Sequence, residues 1–445
     1  MKLQNPQASQ PGSESPDDVI VLGAGVAGLA AADQLIKAGV KATILDSSTK
    51  CGGFHQDQKL GPYSFDLGSI FYEPESRIFN LSPEIRELCP IVQRHTRRLD
   101  SGNKVLRYPF EPSELRQWSH GAKAAAIRDL ALGRLLHRRD GTLDAICRRR
   151  LGTQIYTQSG LRDYIERFNL LDPKDVDEAF FFHRMGQVER TTRPSVMLSR
   201  ALRALNPKRP APRKWPGLHV RPAEGYDVIF EAIQRHLGQA GLQFRLNETV
   251  KTIQRTSTGY QLTTDKGQLN ANVVVNAAPI DAVHHAVFGT HVSLEALGLL
   301  SMFVSSATLD ERTGNVFYNF SQTGAWKRAT IYSRIYPEQG DGRAFYTVER
   351  CITAGTEPDV EAEFNDFAKQ IEAANLATDL RLEGLTLTPD VYPVYRAGET
   401  QKVGEAIDRL AKIGIISVGR QGRFEYLPTS SLVIKRVLEE LAMQT

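Results

Sequence analysis

Asp18-Val19-Ile20-Val21-Leu22 runs directly into Gly23-Ala24-Gly25-Val26-Ala27-Gly28, and the fold is decided at that junction. The apolar run, with its β-branched residues, reads as a buried parallel strand. The G-x-G-x-x-G opens a segment, Leu29 to Gly39, with high helix propensity, apolar residues at 29, 32, 35 and 36, and a glycine stop. A second strand, Lys41 to Leu45, ends at Asp46. Gly23 permits the tight turn, Gly25 lets the backbone approach a pyrophosphate, and Gly28 lets helix and strand pack closely. The first helical amides, around Val26 and Ala27, offer free N–H groups at the positive end of the helix dipole. Asp46 lies 23 residues after Gly23, where a carboxylate accepts hydrogen bonds from ribose hydroxyls. The order strand, glycines, helix, strand, acid reads as a dinucleotide-binding unit.

Working outward, 445 residues suffice for two to three domains or one large interleaved pair. Hydrophobic residues at 41% and charged residues at 24% exclude wholesale disorder, collagen-like repeats and a coiled-coil rod. Lys and Arg number 55 against 51 Asp and Glu, and a net charge of +4 is too weak a field to argue for nucleic acid. The cysteines, at 51, 89, 147 and 351, form no CxxC pair and read as reduced thiols in a cytoplasmic protein. No apolar run reaches the roughly 18–20 residues of a spanning helix. Residues 1–16, rich in Pro, Ser and Gln, read as a disordered tail. No cluster has metal-ligand spacing, so no metal is expected. A Gly-x-Ser-x-Gly elbow and a Walker loop are both missing, which removes the hydrolase and NTPase readings.

Asp46 is followed by Ser47-Ser48-Thr49-Lys50-Cys51-Gly52-Gly53-Phe54. Further on stand Phe65-Asp66-Leu67-Gly68-Ser69, Leu106-Arg107-Tyr108-Pro109-Phe110 and the stretch from Leu151 to His183-Arg184. Then come Arg221 to Tyr226 before a helix from Val228 to His236, a strand from Phe244 to Val250, and Val273 to Pro279. Near the end, a buried strand meets Gly419-Arg420-Gln421-Gly422-Arg423-Phe424-Glu425-Tyr426, with a helix from Ser430 to Leu441. Together these resemble the family of FAD enzymes that includes amine oxidases, protoporphyrinogen oxidase, phytoene desaturases and UDP-galactopyranose mutase. The last stretch is most similar to the mutase-like members.

The resemblance implies FAD rather than NAD. It adds Ser47, Gly52, Gly53 and Phe54 near the flavin and its pyrophosphate to Gly23, Gly25, Val26, Ala27, Gly28 and Asp46. It places Asp66 and Gly68 under the flavin, and Val250 at the adenine end through its backbone. Ala278 falls in the segment that completes the FAD domain, and Gly419, Arg420, Tyr426 and Leu427 fall on the ribityl and pyrimidine side. Lys327-Arg328-Ala329-Thr330-Ile331 is similar to the mutase segment whose arginine contacts a substrate diphosphate, for which a guanidinium fork is suited. Arg328 and Arg420 are therefore the candidate catalytic residues. The chain also departs from the mutases. Ile70 stands where they carry a His beside the flavin, Glu111-Pro112-Ser113 replaces Gln-Asn-Asn, and Ile335 rather than Tyr336 holds the expected tyrosine place. His55 either sits near the flavin or is a structural hydrogen-bonder.

The expected fold is α/β: a Rossmann-type FAD-binding domain with a discontinuous substrate domain made of a mixed sheet plus a helical insertion. FAD-binding segments are expected at 17–75, 215–285 and 395–445, the helical substrate part at 76–214 and its sheet at 286–394. Sheet strands are expected at 303–305, 316–318, 330–332 and 345–348. The basic stretch Arg116 to Arg139, with Ala125, Ile127, Leu130, Leu132, Leu135 and Leu136, reads as a substrate-domain helix with a charged outer face, so a membrane surface is not expected. Basic, proline-rich 206–214 reads as a surface loop. The expected function is an FAD-dependent oxidoreductase moving a hydride from a small, nucleotide-sugar-like or amine substrate to flavin N5. The alternatives are a mutase-like isomerase of a nucleotide sugar and a catalytically idle flavoprotein partner subunit. The expected partner is a small-molecule substrate, without nucleic acid, and homo-oligomerisation is left open.

Overall fold

The computed structural model describes residues 17–68, 70–110, 112–193, 195–196, 217–396 and 399–443. The N-terminal tail, Ser69, Glu111 and the basic tract 206–214 lie outside the described residues. The apolar run becomes β1 (Asp17–Leu22) and the glycine segment opens α1 (Val26–Lys37). β1 lies between β2 (Ala42–Leu45) and a distant strand, Gly267–Asn276, and is parallel to both, with Val21 opposite Ile44 on one side and Val275 on the other. Burial on both faces explains why this strand carries no alternation of polar residues. Gly28 is obligatory for the close crossing of α1 over β1, because a Cβ there would stand 1.8 Å from the Gly23 carbonyl oxygen.

Besides β1 and β2, two sheets are built from β4 (Thr96–Leu99), β5 (Val105–Arg107), β6 (Gln243–Arg245), β7 (Val250–Arg255), β8 (Tyr260–Thr264), β9 (Gly267–Asn276), β10 (Ala296–Leu309), β11 (Val316–Asn319), β12 (Arg328–Ile331), β13 (Ala344–Thr353), β14 (Ala377–Pro393) and β15 (Ile416–Ser417), while β3 (Tyr63–Asp66) stands apart in a two-stranded ribbon. The first sheet runs β6-β2-β1-β9-β8-β7, with β15 added beside β9. The second runs β14-β10-β13-β12-β11-β4-β5 and is antiparallel except between β11 and β4. Of the helices from the middle of the chain, α3 (Leu161–Asn169) and α4 (Ala179–Arg184) pack on that second sheet, while α2 (His120–Leu136) packs on the helix at Leu143–Leu151. Phe168, Phe180 and Phe181 share one core with Leu297, Tyr318 and Tyr392. The α/β class read from the sequence is the observed one, with two mixed sheets.

Three expectations are corrected. The single strand over 244–250 is two strands, β6 and β7, because the chain turns at Asn247, whose φ is +53°. Asn tolerates that left-handed conformation, and the Asn247 and Glu248 amides donate to the carbonyls of Ser48 and Asp46, laying the turn beside the Asp46 loop. The strand over 330–332 ends at Ile331, and Tyr332 starts a 3₁₀ turn. The basic helix starts at His120 and turns its small residues inward rather than its large apolar ones. Ala126, Asp129 and Gly133 are buried, while Ile127, Leu132, Leu135 and Leu136 are exposed. The reason is backbone proximity: a Cβ on Gly133 would sit 3.4 Å from the carbonyl oxygens of Arg148 and Arg149, leaving no room for a large side chain.

Candidate active site

Glycines from three segments, Gly25, Gly52 with Gly53, and Gly419, converge on the N-terminus of α1. Gly25 bridges Gly52, the Gly52 amide donates to the Ala24 carbonyl at 2.9 Å, and a Cβ on Gly53 would lie 3.2 Å from the Gly25 Cα. Gly419 adopts φ +70°, and a Cβ there would stand 2.3 Å from the Ala27 Cβ, while Gly422 presses as closely on the Asn276 carbonyl. Gly25 itself is different. A Cβ there would meet only the Gly53 Cα, at 3.8 Å, so the space in front of it is open. The first turn of α1 has no acidic residue and no side-chain cap. Its amides at Val26, Ala27 and Gly28 therefore face a concavity built from backbone, which is what a pyrophosphate requires.

Asp46 stands at the end of this cradle and accepts hydrogen bonds from the Ala24 amide at 2.6 Å and the Ser48 amide at 2.7 Å. Ser47, next to it, is exposed. Val250 follows the turn that carries Glu248 onto the Asp46 carbonyl, and the Ala278 amide lies 3.1 Å from where a Gly23 Cβ would be. Phe54 is exposed, and Tyr426 is buried with Leu427 half-buried beside it. Thus Gly23, Gly25, Gly28, Asp46, Gly52, Gly53, Ala278 and Gly419 come together, although they lie far apart in sequence.

Asp66 is fully enclosed. Its Oδ1 accepts from Arg221 Nε at 2.5 Å, both side chains are fully buried, and Arg221 also donates to Ser64 Oγ at 2.9 Å. Burial lifts the Asp66 carboxyl to about 7 against the pull of Arg221. Tyr332 Oη reaches the Asp66 backbone and Thr347, so this network ties β3 to the second sheet. Gly68 follows in open space. His55 packs against Tyr226 and Phe230, each with ring centroids at 5.5 Å. Burial pulls its imidazole down to about 4, against its hydrogen bond to the Gly52 backbone, and the nearby Arg420 pushes the same way as burial. The ring is therefore neutral near pH 7.

Beyond the cradle lies a chamber of cations and aromatic rings. The strand register of the second sheet builds it: Arg328 of β12 stands opposite Tyr318 of β11 and opposite Glu349 of β13. Side chains directly opposite each other in an antiparallel pair share one face. Arg328 donates to Glu349, and Lys327 Nζ stands 3.1 Å from the same carboxylate and 2.8 Å from Tyr392 Oη. Burial alone would raise Glu349, but Arg328 and Lys327 outweigh it and hold the carboxyl at about 2. Burial likewise opposes the charge on Lys327, yet its surroundings, Glu349 among them, keep it above the usual lysine range.

Tyr392 is the hub. Lys327 Nζ lies 4.3 Å from its ring centroid, Arg420 Cζ 5.7 Å and Arg184 Cζ 5.8 Å. Arg184 and Arg420 also face the Tyr426 ring at 4.8 and 4.9 Å, and Arg184 donates to Tyr426 Oη. Arg420 reaches back to Phe54, 5.9 Å from its ring centroid, and so joins the chamber to the Gly52-Gly53 side of the cradle. Among the described residues, Glu349 is the one carboxylate bonded to any of these four cations. The Nε atoms of Arg328 and Arg420 are buried without a hydrogen-bond partner. A surplus of buried positive charge with unused donors is an arrangement for holding an anionic group.

The sequence named Arg328 and Arg420 but gave no role to Arg184, Lys327, Glu349 or Tyr392. A signal was present for two of them: Lys327 adjoins Arg328 at the head of a strand, and Glu349 follows directly on the strand-forming run Phe345 to Val348. Among the described residues no group of three or more His, Cys, Asp or Glu converges as a metal would need. No described helix is long and apolar enough to cross a membrane.

Over residues 26–307 the chain matches the family described as flavin containing amine oxidoreductase. Its likeness to solved structures extends over nearly its whole length. It covers 96% of reduced UDP-galactopyranose mutase, with 96% of this chain aligned, a TM-score of 0.74 and 16% identity. A CLA-producing fatty acid isomerase from P. acnes aligns over 97% of this chain and 99% of its own, with a TM-score of 0.61 and 15% identity. Putrescine oxidase bound to putrescine aligns over 96% and 98%, with a TM-score of 0.58 and 15% identity. In sequence, an L-amino-acid oxidase of Vipera ammodytes ammodytes is 32% identical over 139 residues, which are 27% of this chain and 28% of that protein. The chain thus matches less than a third of the length of that curated relative. The cofactor is FAD, and the open amide-lined cradle at Gly25 and the carboxylate of Asp46 fit its pyrophosphate and ribose.

Proposed function

The chain belongs to the flavin-containing amine oxidoreductase family, and from that premise we propose that it is an FAD-dependent oxidoreductase acting on a small substrate that carries a negatively charged group. The observation behind this reading is the chamber in which Lys327 and Arg328 share the carboxylate of Glu349, while Arg184 donates to Tyr426 and Arg420 to the Val391 carbonyl, neither with a carboxylate partner among the described residues. When bound, FAD supplies a two-electron acceptor at its N5 position. The residues of the chain do the rest. Gly25, Val26, Ala27, Gly28 and Asp46 hold the dinucleotide, and Gly52 and Gly53 allow its close approach. Arg184 and Arg328 grip the anionic group of the substrate, and the aromatic walls of Tyr392, Tyr426 and Phe168 exclude water around it. Glu349 holds Arg328 and Lys327 in place. A cationic polyamine is disfavoured by the same charges. The test is anaerobic flavin bleaching with amino acids, nucleotide sugars and polyamines. Bleaching by an anionic or zwitterionic compound is expected, and bleaching by polyamines alone would overturn the reading.

A second reading, a mutase-like isomerase, is favoured by the likeness to UDP-galactopyranose mutase over the whole chain. Against it stands Ile70, fully buried in the core, at the place where mutases carry a histidine. Dithionite-reduced enzyme with UDP-galactopyranose separates the two. Many turnovers to a furanose product of unchanged mass would establish the isomerase.

A further inference from the structure

We infer that α2 is a docking surface for an anionic lipid bilayer. Its outward stripe is apolar. Ile127 and Leu135 are 64% and 81% exposed, and with Ala124 and Ala131, also exposed, they recur every three or four residues along one side of the helix. Leu132 and Leu136, 41% and 56% exposed, widen the stripe. The inward face is already occupied by Ala126, Asp129 and Gly133 against the helix at Leu143–Leu151, so the helix cannot roll to bury its leucines without pressing side chains into the Arg148 and Arg149 carbonyls.

The charge on this helix identifies the occupant. From His120 to Arg139 the sequence carries Lys123, Arg128, Arg134, Arg138 and Arg139 against one acid, Asp129, which is buried. Among the described residues neither Lys123 nor Arg138 has an ion-pair partner. Leucines set among cations on an exposed helix match the acyl boundary and phosphate layer of an anionic membrane. A second copy docking by the same face would set arginine against arginine. The helix would lie in the interface plane, with no segment crossing.

The test is co-sedimentation of the full-length FAD-loaded protein with phosphatidylcholine vesicles, with and without phosphatidylglycerol. Binding is expected to the anionic vesicles and to fall with salt. An Ile127→Glu/Leu135→Glu variant, with unchanged melting temperature and flavin content, is expected to lose tenfold or more in partition. Each arginine-to-glutamine change at 134 or 138 should lose about fivefold. Should the glutamate variant not fold, the arginine variants and the salt dependence carry the test. Protein that stays in the supernatant with anionic vesicles overturns the inference. So does a wild-type dimer that the glutamate variant converts to monomer.

Discussion

The glycine cradle and the cation chamber adjoin each other but are built in opposite ways. The cradle is backbone. Its working groups are amides, and the residue types matter mainly because Gly23, Gly25, Gly28, Gly53 and Gly419 keep side chains out. The chamber is side chain. Arg184, the Lys327-Arg328 pair, Glu349 and Tyr392 come from separate elements, and the register of β11, β12 and β13 aligns the central row. A backbone site is therefore announced by a local motif, whereas a side-chain site depends on which strands become neighbours. The two should also fail differently when mutated.

The largest effects are expected in the cradle. Gly28→Ala puts a methyl 1.8 Å from the Gly23 oxygen and should cost about 3 kcal/mol or more, measured by urea unfolding. Gly25→Val should do the reverse. Its side chain enters open space, so circular dichroism should stay native while the flavin absorbance of the purified protein disappears. If Gly25→Val keeps its FAD, the open space is not the pyrophosphate site.

In the chamber, Glu349→Gln leaves Lys327 and Arg328 buried without a compensating charge. A loss of about 3–5 kcal/mol is expected in denaturant, with flavin retained until unfolding. A change below about 1 kcal/mol would mean the three residues are not coupled. Arg184→Ala is gentler on the fold, because Arg184 pairs with tyrosines and no carboxylate among the described residues. It should raise KM for an anionic substrate by about 1.5–3 kcal/mol in kcat/KM, with Arg184→Lys recovering only part of this. Wild-type kinetics for the alanine variant would remove Arg184 from the substrate grip.

The smallest effect is a pH slope that separates the two regions. His55 is held at about 4 when folded against an ordinary 6.5, so the unfolded chain binds the proton first. Its contribution is complete above pH 6.5 and is lost as pH falls through 4, on the order of 1 kcal/mol by pH 5 given its partial exposure. Glu349, held at about 2 against 4.5, keeps its contribution until below pH 4.5 and loses it towards 2. Thermal melts of His55→Phe should therefore be flatter between pH 6.5 and 4 and still steepen below 4.5. An unchanged profile would show that His55 titrates normally.

Much of the first sheet was legible because the unit from β1 to Asp46 is contiguous and each piece has a local cause. The break at Asn247 was not, since a left-handed asparagine looks like any strand polar residue until Ser48 and Asp46 are placed beside it. The basic helix misled for a related reason. Periodicity marks an apolar side, but Gly133 against the Arg148 and Arg149 carbonyls decides which side is buried.

What the sequence determined by itself, then, was the α/β class and the backbone cradle, including Gly25 and Asp46, because turn geometry, helix dipole and missing Cβ atoms act over a few residues. Only the tertiary structure decided that Asp66 is tied to Arg221, that Glu349 lies opposite Arg328, and that Tyr392 gathers three cations. Those placements follow from strand order and register across hundreds of residues, and burial there gives a charge its weight: in water Lys327 and Glu349 would be an ordinary pair, but enclosed they set what charge the chamber can accept.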